Sequence, residues 1–324
     1  RWLSALRQQI GVAPPDLTPR LSHALQENGF LLPAERASLI SAAEIELGGI
    51  LGSGFYGAVY AGTWRGTPMA LKFCSQDCAA DLVRECALHH KLDHPNVIKW
   101  YGLCIARALD GWPPDLRPPC MCVELAGGGS LLQMLKTLDR SRLYEMGFWQ
   151  QIFEILVGAA HGLAYLHSQR VMHRDMKADN LLLDTHGRVK ISDFGLSKAH
   201  KLDETLKETR ATGSVGTFSH HAPEVLQGEY GLSADIFSFG IVMTEALTAR
   251  EAESIIDETR TNQFGLCLDG LRTFLDPERQ PASCFDVVEL AGLCCDLDSA
   301  ERPTATDVLA RLESILADVT VYGA

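Results

Sequence analysis

The sequence predicts an α+β protein in which a small antiparallel-sheet unit precedes a larger, mainly helical unit. Between residues 44 and 126, short strand-like runs alternate with glycine-containing turns and surround one helical stretch. After Gly127-Gly128-Gly129 the apolar residues recur at helical spacing, most clearly over residues 148–169. The glycine triplet therefore marks the join between the two units.

The elements of the first unit follow one another closely. The strand-like runs are "EIELGGILGSG", "GAVYAGTW" and "TPMALKF", then comes the helical "DCAADLVRECALHHKL", and more short strands follow, through "CMCVEL". The proline-rich residues 106–119 predict an exposed loop between two strands.

Residues 1–43 predict a helical N-terminal extension, because apolar residues recur at helical spacing until Pro14-Pro15 interrupt them. A linker that packs on the following domain is the favoured interpretation, and a regulatory segment is the alternative. The predicted domains are thus the extension, 1–43, the sheet unit, 44–126, and the helical unit, 127–320.

Composition narrows the class of protein. With 46% hydrophobic and 22% charged residues the chain is globular, and its net charge of −12 argues against a nucleic-acid-binding protein. The ten cysteines lie in apolar segments without CxxC pairs, so we expect reduced thiols in an intracellular, cytoplasmic protein. No apolar run reaches the roughly 20 residues of a membrane span. Because the chain starts at Arg1, we expect a fragment of a longer protein, and its oligomeric state stays open.

The segment "LGSGFYGAVY" places Gly52, Gly54 and Gly57 in G-x-G-x-x-G spacing. This spacing alone is weak evidence, because a glycine-rich hairpin or a dinucleotide-binding loop has the same letters. A dinucleotide loop opens directly into a helix, whereas here the glycines lie between two strands. Their position favours a flap whose backbone amides cover nucleotide phosphates.

Lys72 lies in an apolar strand, where an ammonium group is costly unless an anion meets it. Glu85, on the following amphipathic helix, is its expected partner. Asp81 lies one turn earlier and has a shorter side chain, so it reaches Lys72 less well. An isolated Lys–Glu pair is usually a surface feature, but this one follows a phosphate flap.

The stretch "VMHRDMKADNLLL" and the later Asp193 together fit phosphoryl transfer. That reaction needs oxygen ligands for Mg²⁺, a carboxylate that orients the attacking hydroxyl, and cations on the moving phosphoryl charge. Asn180 and Asp193 suit the metal, and Asp175 suits the hydroxyl. Lys72 and Lys177 suit the phosphates. Taken singly, each residue could be an ordinary polar group of a turn.

The ordered set of motifs resembles eukaryotic protein kinases from about Glu46 to Leu316. The resemblance implies a bilobal fold that binds ATP between its lobes. It assigns catalytic roles to Lys72, Glu85, Asp175 and Lys177, and metal binding to Asn180 and Asp193, which begins Asp193-Phe194-Gly195. It further implies that Asp235 braces the catalytic loop, which begins at His173-Arg174, and that Arg302 pairs with Glu224 of Ala222-Pro223-Glu224.

The resemblance also implies an ATP site. Val123 matches the gatekeeper and Glu124 to Ala126 the hinge, whose backbone groups should meet the adenine. The implied ATP-binding residues are Leu51, Gly52, Ser53, Gly54, Gly57, Val59, Ala70, Lys72, Val123, Glu124, Ala126 and Leu182.

Within the family, "LVRECALHHKLDHPNVIKWYGLC" resembles the tyrosine-kinase-like group, and "LAGLCCDLDSAERP" the LIM-kinase and testis-specific-kinase branch. Members of that branch commonly lack a lysine at the position of Lys177, whose presence is typical of serine/threonine kinases. Ser219-His220-His221 stand where the family usually has Tyr-Trp-Met, which leaves the shape of the substrate-facing loop open. Phe237 replaces the usual tryptophan.

Two regulatory questions arise from the resemblance. His89 occupies an apolar spine position, so it is either a buried neutral imidazole with a hydrogen-bond partner or a group whose protonation lowers activity. The candidates for activating phosphorylation are Thr212, Ser214 and Thr217, whose phosphate could pair with Arg174. The alternative for that segment is a solvated polar loop.

The predicted function is protein serine/threonine kinase activity that uses ATP and Mg²⁺ on protein substrates, with tyrosine left open as a further acceptor. The alternative is a pseudokinase that serves as a scaffold. Pseudokinases usually lose the lysine or one of the two aspartates, whereas Lys72, Asp175 and Asp193 are all present. Catalysis is therefore favoured.

Overall fold

The computed structural model describes residues 23, 27, 39–54, 57–74, 79–104, 119–193, 198–199, 218–228 and 231–322. Most of the predicted extension 1–43 and of the proline-rich loop 106–119 lies outside these residues. The chain divides into two compact units, one formed by Arg1–Asp93 and Ile98–Ala126 and the other by His94–Val97 and Gly127–Ala324.

A five-stranded antiparallel sheet forms the first unit. Its strands are β1 (Ile45–Gly54), β2 (Gly57–Trp64), β3 (Thr67–Cys74), β4 (Trp100–Cys104) and β5 (Cys120–Glu124), in the order β1-β2-β3-β5-β4. Helix α1 (Ala79–His89) follows β3. Alternate residues of β3 enter the core, where Met69, Leu71 and Phe73 pack with the thiols of β4 and β5.

The register of the central strands sets which residues are neighbours. Lys72 lies opposite Val59 on one side and Met121 on the other, and Ala70 lies opposite Val123. The β1–β2 pairing closes at Gly57, whose φ is +143°, and a Cβ atom there would clash with the Phe73 carbonyl oxygen. Only glycine fits this position.

The second unit is mainly helical. Its helices are α2 (Leu131–Lys136), α3 (Met146–Ser168), α4 (Leu232–Thr248), α5 (Ile256–Thr259), α6 (Leu268–Arg272), α7 (Ser283–Cys294) and α8 (Ala305–Tyr322). Short strands pair as two ribbons, β6 (Val171–Met172) with β9 (Lys198–Ala199) and β7 (Leu181–Leu183) with β8 (Val189–Ile191). The predicted α+β class, with an antiparallel sheet ahead of a helical unit, is confirmed.

Helix α4 is the centre of the second unit, since every residue from Ala234 to Thr248 is buried. A helix that is buried on all sides is typical of a protein core. Along the described ranges no single helix is long and apolar enough to cross a bilayer, and only α4 taken with the segment Ala252–Thr259, bent by 78°, reaches that length and composition.

Candidate active site

Within the first unit, Lys72 and Glu85 form a buried ion pair. The Lys72 Nζ atom lies 2.8 Å from Glu85 Oε1 and 3.1 Å from Oε2, and the two side chains are 18% and 5% exposed. Strand β3 supplies the lysine and helix α1 the glutamate. The other acid of α1, Asp81, is exposed and pairs with Arg84 instead. The carboxylate thus fixes the ammonium group of Lys72 in one place.

The predicted phosphate flap is the turn between β1 and β2. Leu51, Gly52 and Ser53 are exposed, and a Cβ atom on Gly52 would touch nothing within 4 Å. The flap therefore leaves backbone groups open to a ligand on this face, while its far end is tight at Gly57. Gly54 is the residue that pairs with Gly57 across the turn. Exposed backbone groups of this kind fit a polyphosphate.

The predicted adenine site has its parts on β2, β3 and β5. Val59 is half-buried, while Ala70 and Val123 are buried and face each other across the strand pair. Glu124 is bound to the residue before β4, since its N–H donates to the Lys99 carbonyl at 2.8 Å and its Oε2 accepts from the Lys99 N–H at 3.1 Å. Ala126 follows and is half-buried.

In the second unit, the predicted catalytic residues converge on Asp175. Lys177 Nζ lies 2.9 Å from Asp175 Oδ2, and Asn180 Nδ2 donates to the same oxygen at 3.0 Å and to the Asp175 carbonyl at 2.7 Å. Burial raises the pKa of Asp175. The hydrogen bond and charge of Lys177, together with His173 and Asn180, lower this pKa by more, so the net pKa is below its ordinary value. Asp175 is therefore an oriented, ionised carboxylate.

Asp235 of α4 holds the backbone of this loop. Its carboxylate is 2% exposed and accepts the N–H groups of His173 and Arg174, each at 2.8 Å. His167 Nε2 lies 3.0 Å from the same carboxylate. Burial raises the pKa of Asp235, and the His167 hydrogen bond leads the contacts that bring it below its ordinary value. These contacts are the bracing role that the sequence implied for Asp235.

The predicted metal ligands are linked through backbone contacts. The N–H and Oγ–H of Ser192, which precedes Asp193, donate to the Asn180 carbonyl at 2.9 and 3.0 Å. Asn180 uses its Nδ2 on Asp175, so its Oδ1 is the atom left for a metal, and the Asp193 side chain is exposed. Two oxygen ligands of this kind fit Mg²⁺. The described ranges contain no group of three or more His, Cys, Asp or Glu side chains that could hold a metal. Mg²⁺ at nucleotide sites is usually held by one or two protein ligands together with phosphate oxygens and water.

Other predicted residues lie as follows. Leu182 is half-buried on β7, in the second unit. His89 is completely buried, and its Nε2 lies 2.6 Å from the Ile98 carbonyl oxygen, which is a hydrogen-bond partner of the kind the sequence predicted. Its proposed acid sensitivity stays a prediction. Thr212, Ser214 and Thr217, with Phe194 and Gly195, lie outside the described residues.

Comparison with known proteins decides the family. A model of the protein kinase domain matches residues 45–312, which is most of the chain. The chain is a protein kinase domain. The bilobal kinase class predicted from the sequence is thereby confirmed.

Curated relatives agree with this kinase assignment. The chain is 34% identical over 281 residues to "Probable serine/threonine-protein kinase drkA" of Dictyostelium discoideum, a match that covers 84% of this chain and 40% of the relative. It is 28% identical over 290 residues to "Serine/threonine-protein kinase STY46" of Arabidopsis thaliana, covering 88% of this chain and 46% of that relative. The kinase domain thus spans less than half of either relative. The family and these names support serine/threonine kinase activity for the domain.

Sequence reasoning missed how this kinase domain builds the segment before Ala222. Ser219, His220 and His221 are buried, and the Arg260 guanidinium donates to the Ser219 and His221 carbonyls at 2.7 and 3.1 Å. No sequence signal pointed to Arg260.

Arg260 also contacts Phe237, which stands where the family usually has a tryptophan. Arg260 and Arg302 each lie over its ring, at 4.9 and 5.0 Å from the centroid. Arg302 also binds Glu224, with Nη2 2.8 Å from Oε2, which is the pair that the resemblance implied. A guanidinium stacked on an aromatic face is stabilising.

The second missed residue is Glu245. Its side chain is buried in α4 and binds both His220 and the catalytic loop. A signal was available, because Glu245 is a lone charge in the apolar run "FGIVMTEALT".

Proposed function

We propose that this domain transfers the γ-phosphoryl group of Mg-ATP to serine and threonine hydroxyls of protein substrates. One observation carries the proposal, the convergence of Lys177 and Asn180 on an ionised Asp175 within a loop that Asp235 braces. A carboxylate that must orient a hydroxyl and accept its proton needs to be ionised and to be held in a fixed position.

The residues of the candidate active site have different chemical roles in the proposed reaction. Bound Mg-ATP supplies an electrophilic phosphoryl group whose charge the metal partly neutralises. Lys72 binds phosphate oxygens as a fixed cation, and its ion pair with Glu85 supports this role. Asn180 Oδ1 and the Asp193 carboxylate would hold Mg²⁺. Asp175 takes the hydroxyl proton, and the nearby Lys177 ammonium is available to the transferred charge.

Acceptor choice and branch belong to the same proposal. The presence of Lys177 and the names of the curated relatives support serine and threonine over tyrosine. The runs "LVRECALHHKLDHPNVIKWYGLC" and "LAGLCCDLDSAERP" support membership of the tyrosine-kinase-like group, in the LIM-kinase and testis-specific-kinase branch. Protein substrates are expected of this family.

We also propose a reducing, cytoplasmic location. The nine cysteines in the described part of the chain are free thiols, and seven of them are buried. Such thiols are typical of proteins in reducing compartments.

The decisive experiment is a transfer assay. The 324-residue protein is incubated with Mg-ATP and a degenerate Ser/Thr/Tyr peptide library, with Asp193→Asn as the control. We expect label on serine and threonine with the unchanged protein and a loss of roughly 100-fold or more in the variant, since it removes a metal ligand. Nucleotide binding without transfer by the unchanged protein would instead support the scaffold alternative. A Thr212→Ala, Ser214→Ala double variant with undiminished activity would remove the phosphorylation-site hypothesis.

A further inference from the structure

A buried junction of hydrogen bonds lies at Glu245, in the middle of α4. The residue is 1% exposed, and its Oε2 accepts the backbone N–H of Ala178 at 3.1 Å and lies 3.1 Å from His220 Nε2. Its Oε1 accepts the N–H of Ala252 at 3.0 Å. One carboxylate thus binds three separate segments of the second unit.

Two of these segments belong to the catalytic machinery. Ala178 begins the turn Ala178–Asn180, which directly follows Lys177 and ends with the predicted metal ligand Asn180. His220 ends the turn Phe218–His220, just ahead of Ala222-Pro223-Glu224. The third segment, Ala252–Ile255, follows α4. Glu245 therefore connects the catalytic loop to the substrate-facing segment.

The hydrogen-bond pattern fixes the orientation of the His220 ring. Nε2 faces a carboxylate, so it carries a hydrogen, and Nδ1 lies 3.1 Å from the Ser219 hydroxyl. That hydroxyl donates to a neutral imidazole and accepts from a protonated one. The ring therefore keeps both contacts in either protonation state.

The carboxylate is stable in this position because several donors surround it. Burial raises the pKa of Glu245, but the charge and hydrogen bond of His220, with the N–H groups of Ala252 and Ala178, bring it below its ordinary value. A buried carboxylate is costly once one of its donors is removed. The hydrogen bonds of Glu245 to Ala178, His220 and Ala252 all lie within the second unit, so its role is to position these groups.

We propose that His220 and Glu245 are positioning residues, in which the His220 imidazole holds the Glu245 carboxylate against the Ala178 amide and so fixes the catalytic-loop turn that carries Asn180. The inference rests on the proposed function and assigns a role to a histidine that stands where the family usually has an aromatic residue. Ordering of the substrate-facing segment then sets the geometry of the catalytic loop.

The test separates the hydrogen bond from packing. His220→Phe keeps a ring but removes the donor, whereas His220→Gln keeps an N–H near the place of Nε2. We expect His220→Phe to lower kcat about 10-fold or more with the KM for ATP within about 3-fold, and His220→Gln to stay within about 3-fold of the unchanged protein. Glu245→Gln should resemble His220→Phe, and the double variant should lose little more than either single one.

The matched control is His161→Gln, because His161 and Glu313 form a His–Glu pair with a 3.2 Å contact on the exposed surface of the same unit. Its kcat should not change. Undiminished kcat in His220→Phe, or equal damage from Phe and Gln, would overturn the proposal.

Hydrogen exchange of residues 171–183 tests the proposal without relying on catalysis. A thermal melt of each variant reports any loss of global stability separately. We expect faster exchange at Ala178 in His220→Phe at temperatures where the fold is intact. If the unmutated protein transfers no phosphate, the proposed function fails. If hydrogen exchange at Ala178 is the same in His220→Phe as in the unmutated protein, the positioning role of His220 and Glu245 fails independently of that result.

Discussion

Two of the residues assigned to the catalytic machinery have a left-handed backbone. Arg174 has a φ of 71° and Asp193 a φ of 64°, a conformation that costs non-glycine residues on the order of 1–3 kcal/mol. At Arg174 the cost is offset by the Asp235 carboxylate, which accepts its N–H at 2.8 Å. Strain of this size at two adjoining functional segments indicates that the geometry of these residues is held by their surroundings.

At the same scale, Glu85→Gln tests the buried ion pair. Removal of the carboxylate charge turns the Lys72–Glu85 ion pair into a neutral hydrogen bond, at a cost of about 1.5–3 kcal/mol. We expect kcat/KM for ATP to fall roughly 10- to 100-fold. Asp81→Asn on the same helix is the control, because Asp81 pairs with Arg84 at the surface, and an equal loss there would contradict a specific role for Glu85.

The Asp175 carboxylate gives a prediction in pH. Its pKa is lowered in the folded protein, with Lys177 as the largest stabilising contact of the ionised form, so activity that depends on it persists as pH falls until the lowered pKa is reached. Lys177→Met removes that contact while burial still raises the pKa. The acid limb of the kcat/KM profile should therefore move to higher pH.

The pH profile of kcat/KM is also measured for Lys190→Met, which is the control variant. Lys190 donates to the Pro95 carbonyl at 3.2 Å and lies on β8. We expect its acid limb to coincide with that of the unchanged protein. A Lys177→Met limb that stays in place, or moves to lower pH, would show that Lys177 does not hold Asp175 ionised.

At the scale of elements, Arg302 connects α4 to the segment that carries Glu224. Its side chain is fully buried, binds Glu224 and stacks on Phe237. Breaking a buried pair on one side costs about 3–5 kcal/mol. Arg302→Met should therefore lower the melting temperature by several degrees. Arg272→Met removes an exposed pair with Asp269 and Glu289 and should leave the melt unchanged.

Local patterns predicted the elements well. The alternation in "TPMALKF" indicated a half-buried strand and is present in β3, and the pairing of Lys72 with Glu85 followed from the cost of an unpaired ammonium in such a strand. The order of strands was outside the reach of these patterns, because β5 inserts between β3 and β4 through long-range packing.

The residues that the sequence did not reveal are those whose partners lie far along the chain. His220 and Glu245 are 25 positions apart, and Arg260 reaches back 41 positions to Ser219. Their contacts exist only after α4 is buried. Replacement of the family's aromatic residues at 220 and 237 signalled a change, but the sequence alone could not show which buried charges accompany it.

At the scale of the whole molecule, the thiols give a prediction about accessibility. Seven buried cysteines lie in the described ranges, and burial raises the pKa of Cys86 and Cys120 well above the ordinary value and that of Cys295 to about 12. Thiolates are the reactive form. We expect these seven to resist Ellman's reagent at pH 8 in the native protein and to react after unfolding, with labelled sites mapped by mass spectrometry. Rapid labelling of the native seven would contradict their burial.

The two buried carboxylates of α4 limit which segments related kinase domains can exchange by recombination. Asp235 and Glu245 lie about 15 Å apart on this one helix, and both bind the catalytic loop, Asp235 at Arg174 and Glu245 at Ala178. A recombinant that inherits 218–224 from a relative with phenylalanine at 220, but keeps this α4, has a buried carboxylate with one donor missing. We therefore expect viable crossovers between related domains to fall outside residues 173–245, so that this stretch is passed on as one heritable block.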